Sequence, residues 1–288
     1  MYALAKMPRS GQVIDDYTLT SLVGTGGTCE VFSATDTCSG RVVALKVLRE
    51  ELLGHAEVVF RFLNEALPTS LRTLRHPAIV EVFETSPPDC QHLYHAVELL
   101  HESLAQRLLA GPLSINLSLR LAGQIASALA VLHEHHIVHR DVKPSNILLT
   151  DEPDGSMRAK LADFGLARLP DSDTGAMPVS TAEGTRLGTP DYMPPEQWDD
   201  ARGVTGAADL YSLGCSLYQM VSGRRPFGGK TDAELRRQHI LAEPDPLGDF
   251  VPDAVRTLIA DMMAKPACRR PSADAVAARI SMLTGTTS

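Results

Sequence analysis

The stretch His139-Arg140-Asp141-Val142-Lys143-Pro144-Ser145-Asn146 constrains this chain more than any other. It follows a helical repeat of leucines and precedes an apolar run, Ile147-Leu148-Leu149, that reads as a strand. Pro144 stops regular structure, so the stretch is a loop between a helix and a strand. A plain connection does not require this choice of polar residues. Asp141 can accept a proton, Lys143 can hold a phosphate, and Asn146 offers a carbonyl oxygen to a hard cation. The fold must hold all of them at one helix-to-strand connection.

Upstream, Tyr17–Val23, Val31–Thr35 and Arg41–Leu48 read as strands. The first two are joined by Gly24-Thr25-Gly26-Gly27-Thr28-Cys29-Glu30-Val31. Glycine there lets backbone N–H groups approach phosphate oxygens, although glycine turns between strands are also common. Lys46 is the odd residue of its apolar run; such a lysine either snorkels to solvent or meets an anion. Residues 56–75 carry a helical pattern, with Glu65 flanked by Phe62, Leu63 and Ala66 on the apolar face. Pro68 follows closely and is expected to kink or break this helix. Ile79–Glu84 and His92–Val97 read as further strands.

Ser114 caps a long helix carrying Leu117, Leu121, Ile125, Leu129 and Leu132. The helix runs into His133, His135, His136 and His139, but no cysteine or carboxylate spacing accompanies them as a metal site requires. Nothing at this level accounts for His136. A polar turn at 151–156 and a short strand lead to Asp163-Phe164-Gly165. Residues 166–187 read as a long loop, ending in Gly188-Thr189-Pro190-Asp191-Tyr192-Met193-Pro194-Pro195-Glu196. Ala207–Val221 is apolar nearly all round and reads as a buried helix. Helices are expected near 231–241, 252–264 and 272–283.

Length and charge narrow the class. A chain of 288 residues is expected to fold as two lobes or two small domains. A net charge of −8 argues against nucleic-acid binding, which needs basic surface. No consecutive apolar run approaches the roughly 18–20 residues of a bilayer span, so no membrane span is expected. Met1–Pro8 is too short and too interrupted for a signal peptide. Cys29, Cys38, Cys90, Cys215 and Cys268 include no closely spaced pair, which fits free thiols in a reducing, cytoplasmic setting.

Taken in order, these segments resemble the eukaryotic-type serine/threonine protein kinases, a family also carried by bacteria. Residues 139–146 resemble its catalytic loop. Gly24–Val31 resembles its glycine-rich loop, with Cys29 at the third glycine. Val43-Ala44-Leu45-Lys46 resembles the strand whose lysine binds the α- and β-phosphates of ATP, and Glu65 the glutamate that pairs with it. Gly188–Glu196 is similar to the peptide-anchoring segment, with Pro194 where alanine is usual and Arg270 as the partner of Glu196. Asp209 resembles the aspartate that braces the catalytic-loop backbone.

The resemblance covers about residues 15–283 and implies an α+β, protein kinase-like bilobal fold. Its lobes would be a small β-rich N-lobe at about 15–97 and a larger helical C-lobe at 102–283. A hinge at 98–101 would join them, with short extensions at 1–14 and 284–288. The implied ATP-binding set starts with Gly24, Thr25, Gly26, Gly27, Thr28, Cys29 and Val31, followed by Ala44, Lys46 and Glu65. Val97 at the adenine, Glu98 and Leu100 at the hinge, Leu148 and Asp163 complete it. Asp141 would orient the acceptor hydroxyl and take its proton, and Lys143 would neutralise the transferred phosphoryl group. Asn146 and Asp163 would hold Mg2+, with Mn2+ as the alternative ion.

Lysine within Asp141-Val142-Lys143-Pro144-Ser145-Asn146 is the serine/threonine pattern of that family, so protein substrates with Ser or Thr acceptors are implied. Thr189 would touch Asp141 and Lys143. Arg140 implies a phosphate on the 166–187 loop, with Thr185 the best-placed acceptor and Ser180 and Thr181 the alternatives. A transient homodimer for autophosphorylation in trans would follow. Two competing readings are a pseudokinase scaffold and a small-molecule kinase. The first predicts loss of Lys46, Asp141 or Asp163, all present here; the second has no need of Gly188–Glu196.

Overall fold

The computed structural model describes residues 10–63, 75–163, 190–198 and 203–285. The chain separates into two compact units. The first holds the chain through Arg75, Val80–Leu100 and Asp163; the second holds His76–Ile79, His101–Ala162 and the described residues from Pro190 onward.

The first unit is built on a six-stranded antiparallel sheet. Its strands are β1 (Val13–Ile14), β2 (Tyr17–Thr25), β3 (Cys29–Asp36), β4 (Val42–Leu48), β5 (Val82–Thr85) and β6 (Tyr94–Glu98), in the order β1-β2-β3-β4-β6-β5. Alternation along the strands divides their side chains between two faces. Tyr17, Leu19, Phe32, Val43, Leu45, Val47 and Tyr94 form the core on one face. Burying each large apolar side chain contributes about 1.5–3 kcal/mol. Register places Val31, Ala44, Lys46, His95 and Val97 together on the other face.

Helix α1 (Ala56–Leu63) is anchored by Phe62, which shares a buried cluster with Cys29, Leu48 and Leu93. The Phe62 ring stacks on His95 at 4.4 Å, and its carbonyl accepts a hydrogen bond from His95 Nε2 at 2.6 Å. A carbonyl can only accept, so Nε2 carries the proton, while His95 Nδ1 meets the Thr85 hydroxyl at 3.1 Å. Glu65 and Pro68, with the kink expected there, lie outside the described residues.

One expected strand is shorter than its apolar pattern. Ile79–Glu84 was the expectation, but β5 begins at Val82. Ile79 forms an isolated parallel bridge with Leu161, and the Ala78 carbonyl accepts from Leu161 N–H at 2.9 Å. The turn after Pro77 therefore commits Ile79 to the second unit.

The second unit carries a small sheet, β7 (Glu102–Ser103), β8 (Ile147–Asp151) and β9 (Met157–Leu161), and helices α2 (Leu104–Arg107) to α7. The longer helices are α3 (Ile115–Glu134), α4 (Ala207–Ser222), α5 (Asp232–Leu241), α6 (Asp253–Met262) and α7 (Ala273–Thr284). Ser114 caps α3 by accepting from Leu117 N–H. Helix α3 packs against β9, α4 and α7. At Gly123 a Cβ would sit 2.9 Å from the Ile280 side chain, so any larger residue there would force Ile280 to shift at the α3–α7 approach. Helix α4 is buried on nearly every side, as its composition predicts.

The expectation about apolar length needs correction. Among the described residues, α3 is long and apolar enough to cross a membrane by length and composition. Asn116, Ser118, Arg120, Gly123, Gln124 and Ser127 break it into short apolar runs while adding one charge, which hid its overall hydropathy. In this fold its apolar side is core: Leu121, Ala122, Ile125, Ala126, Leu129 and Leu132 are buried.

The end of α3 accounts for His136. Its φ is +59°, a left-handed conformation that ordinarily falls to glycine. His136 N–H donates to the His133 carbonyl at 3.0 Å and Ile137 N–H to the Leu132 carbonyl at 2.9 Å. These bonds close the helix end and require that backbone whatever the side chain. His136→Gly is therefore expected to stabilise the fold by about 1 kcal/mol, read from urea unfolding midpoints. A loss of stability in that variant would show that the imidazole itself has a role.

Candidate active site

The loop after α3 is held by a buried carboxylate. Asp209, in the first turn of α4, is 1% exposed. Its Oδ1 accepts from Arg140 N–H at 2.8 Å, and its Oδ2 accepts from His139 N–H at 2.9 Å and His133 Nε2 at 2.8 Å. Hydrogen bonds to a charged acceptor contribute about 1.5–3 kcal/mol each. Arg140 takes a left-handed φ of +67°, which costs a non-glycine residue about 1–2 kcal/mol, so the conformation depends on these bonds. The fully buried His139 ring links both sides of the loop. Its Nε2 donates to the Ala162 carbonyl at 3.0 Å, and its Nδ1 accepts from Asp141 N–H at 3.3 Å. That pair of bonds fixes one neutral tautomer.

Two side chains then converge on the Asp141 carboxylate. Asp141 Oδ2 accepts from Lys143 Nζ at 2.8 Å and from Asn146 Nδ2 at 2.9 Å. Asn146 Nδ2 also donates to the Asp141 backbone carbonyl at 2.9 Å. With its nitrogen so committed, the Asn146 amide turns its oxygen away from Asp141, where a hard cation could use it. The Asn146 carbonyl accepts from Ala162 N–H at 2.9 Å, which ties the residue before β8 to the end of β9.

A second anchor lies at Glu196. Its carboxylate takes a bidentate pair from Arg270, at 2.6 and 2.9 Å. The Arg270 side chain is fully buried and also donates to the carbonyls of Ala264, Lys265 and Ala207. A buried guanidinium is tolerated because its donors are satisfied in this way. The next residue, Gln197, donates through Nε2 to the Arg140 carbonyl at 3.1 Å.

In the first unit, Lys46 Nζ meets Asp163 Oδ1 at 2.6 Å. Asp163 has a left-handed φ of +64°. The nearby glycine turn is closed by a bond from Gly26 N–H to the Cys29 carbonyl at 2.8 Å. A Cβ at Gly24 or Gly27 would meet nothing within 4 Å, and neither glycine has positive φ. Folding alone therefore does not demand glycine there, and the bare backbone fits an outside anion. Cys29, at the third glycine's place, turns inward to the Phe62 cluster.

The structure thus brings Asp141, Lys143 and Asn146 together in the second unit, where Leu148 is half-buried on β8. It brings Lys46 and Asp163 together in the first, with Val31, Ala44 and Val97 on the lysine's face of the sheet. Gly24, Thr25, Gly26, Gly27 and Thr28 lie at the end of β2 and in the turn to β3. Glu98 N–H donates to the Glu81 carbonyl at 2.9 Å, and Leu100 is the last first-unit residue before His101. Glu65, Ser180, Thr181, Thr185 and Thr189 lie outside the described residues. Gln197 was not singled out from sequence; a lone glutamine after Glu196 carries no periodicity or charge signal.

A family pattern described as "Protein kinase domain" matches residues 17–279. The chain belongs to the protein kinase domain family. Its β-rich and helical units are the two lobes of that fold, and the family implies ATP and a divalent cation in general terms. It is 36% identical over 286 residues to a probable serine/threonine-protein kinase of Corynebacterium efficiens, covering 94% of this chain and 42% of the relative. It is 39% identical over 285 residues to serine/threonine-protein kinase PknA of Mycobacterium tuberculosis, covering 94% and 63%. Against serine/threonine-protein kinase pkn2 of Myxococcus xanthus it is 37% identical over 276 residues, covering 92% and 32%. The chain thus spans less than two thirds of the length of these curated relatives.

Within this kinase domain, Pro195–Trp198 lies beside an aromatic nest. The buried His239 ring stands 4.7 Å from Phe227, 5.7 Å from Tyr211 and 6.5 Å from Trp198, and its Nδ1 bonds the Tyr211 hydroxyl at 2.9 Å. Burial, and then the charge of Lys265, holds the His239 imidazole down to about 4. The unfolded histidine binds its proton near 6.5, so the unfolded state takes up more protons between those values. Stability from this residue is complete above pH 6.5 and is lost as pH falls towards 4. Urea titrations at pH 7 and pH 4.5 are expected to differ by up to about 3 kcal/mol from this source. His239→Gln should shrink that difference; an unchanged pH dependence would refute the assignment.

Proposed function

We propose that the chain is an ATP-dependent serine/threonine protein kinase. The observation that carries the reading is the grouping of Lys143 Nζ and Asn146 Nδ2 on Asp141 Oδ2, at 2.8 and 2.9 Å. Phosphoryl transfer needs positioning and charge neutralisation more than covalent chemistry, and this grouping supplies both. Asp141 orients a serine or threonine hydroxyl and takes its proton as the oxygen attacks the γ-phosphorus. The bond from that phosphorus to the β–γ bridging oxygen breaks, and ADP leaves. Lys143 neutralises charge on the phosphoryl group in passage.

The glycine turn Gly24–Thr28 and Lys46 hold the phosphates, with Glu65 fixing Lys46. Val31, Ala44, Val97 and Leu148 would contact the base, and Glu98 and Leu100 its edge. Asn146 and Asp163 supply the oxygens for Mg2+, or alternatively Mn2+. That ion neutralises phosphate charge when bound. The kinase domain runs over about residues 15–283. The names of the relatives support the serine/threonine class.

Two experiments test the reading. With radiolabelled ATP, Mg2+ and a casein-like acceptor, wild-type protein should label serine and threonine. Asp141→Asn should lower kcat about 100-fold or more while nucleotide binding persists. Absence of label with either metal, or an unaffected Asp141→Asn variant, overturns the proposal.

The regulatory part is separate. Arg140 would take a phosphate on the activation loop, with Thr185 the first candidate and Ser180 and Thr181 the alternatives. Autophosphorylation in trans, through a transient homodimer, would install it. Mass spectrometry before and after incubation with ATP should find phosphate at Thr185, and Thr185→Ala should lower activity. A fully active protein without loop phosphate would sink this part alone.

A further inference from the structure

Arg140 is the residue through which the loop carrying Asp141 is oriented, and its backbone is strained. Its φ of +67° is left-handed. The peptide group before it is held, because Arg140 N–H donates to Asp209 Oδ1 at 2.8 Å. The peptide group after it joins Arg140 to Asp141, and its oxygen has a separate partner. That partner is Gln197 Nε2, at 3.1 Å. Since a carbonyl can only accept, the amide nitrogen of Gln197 must face it.

The amide is itself well placed to hold that peptide. Gln197 follows Glu196, whose carboxylate is clamped by the fully buried Arg270. Gln197 N–H donates to the Pro194 carbonyl at 3.1 Å, and Arg270 also donates to the Ala207 carbonyl at the start of α4. Asp209 sits in the same first turn of α4. Both holds on Arg140, through Asp209 and through Gln197, therefore refer back to one rigid helix end.

We propose that Gln197 is a positioning residue for the transfer step: it fixes the Arg140–Asp141 peptide group and so aims the Asp141 carboxylate. In this role it acts through the Arg140 carbonyl. This rests on the kinase reading above. A misplaced base lowers the rate of the chemical step without weakening nucleotide binding, which separates this role from a merely structural one.

Gln197→Glu keeps the side-chain shape but presents an oxygen to the Arg140 carbonyl in place of the N–H. It is expected to lower kcat about tenfold with KM for ATP held within about twofold. Gln197→Lys restores a donor of similar reach and should recover most of kcat. A second readout does not depend on activity. Hydrogen exchange across residues 139–142 should be faster in Gln197→Glu than in wild type, and restored in Gln197→Lys. Unchanged exchange in Gln197→Glu overturns the inference, as does an unchanged kcat in an active enzyme. If wild type itself transfers no phosphate, the kinase reading fails, and the exchange experiment still decides whether Gln197 holds the loop.

Discussion

The second lobe depends on where the Asp209 carboxylate sits. It is the buried acceptor for two consecutive backbone N–H groups, His139 and Arg140, and for the His133 ring. Without it those donors would be left unsatisfied in the interior, and the left-handed Arg140 would lose what compensates its strain. The carboxylate is fixed because α4 is buried on nearly all sides. Gly206 contributes at the helix start: a Cβ there would lie 2.6 Å from the His133 ring and push it off Asp209. The Ala207 carbonyl, one residue on, receives Arg270. One helix turn thus serves as the common base for the loop at 139–146 and the segment ending at Trp198.

The first lobe solves a different problem. Lys46 is a cation in a strand flanked on both sides by others, which would be costly if it faced the apolar core. Register puts it on the opposite face, with Val31, Ala44 and Val97, and its ammonium pairs with Asp163. Phe62 closes the end of that face, with its ring against His95 and its carbonyl held by the same imidazole. Cys29 joins the same cluster, so the glycine turn has one side chain rooted in the lobe's packing.

Much of this was legible in the sequence, for identifiable reasons. Asp141, Lys143 and Asn146 stood out because their side chains suit proton transfer, phosphate binding and cation binding, and Arg270 because the family resemblance implied it as the partner of Glu196, which is itself only partly buried. Helices α3 and α4 were legible from periodicity and burial pattern. Other features were not, because they are properties of backbone or context. His136 is left-handed through the hydrogen bonds that end α3, which no side-chain pattern encodes. Ile79 has the composition of a strand residue, but the turn at Pro77 gives it to the other unit. Gln197 is an ordinary polar residue until the Arg140 carbonyl is seen opposite it.

Helix α3 has a consequence for how the chain is made. It is apolar enough to be mistaken for a membrane segment, and what covers it comes from β9, α4 and α7. Those elements all follow it in sequence, and α7 begins only at Ala273. During synthesis the helix leaves the ribosome with its buried face uncovered, and the part that α7 covers stays so until nearly all of the lobe has emerged. The core that anchors the finished site is thus the surface most in need of chaperone protection in the nascent chain.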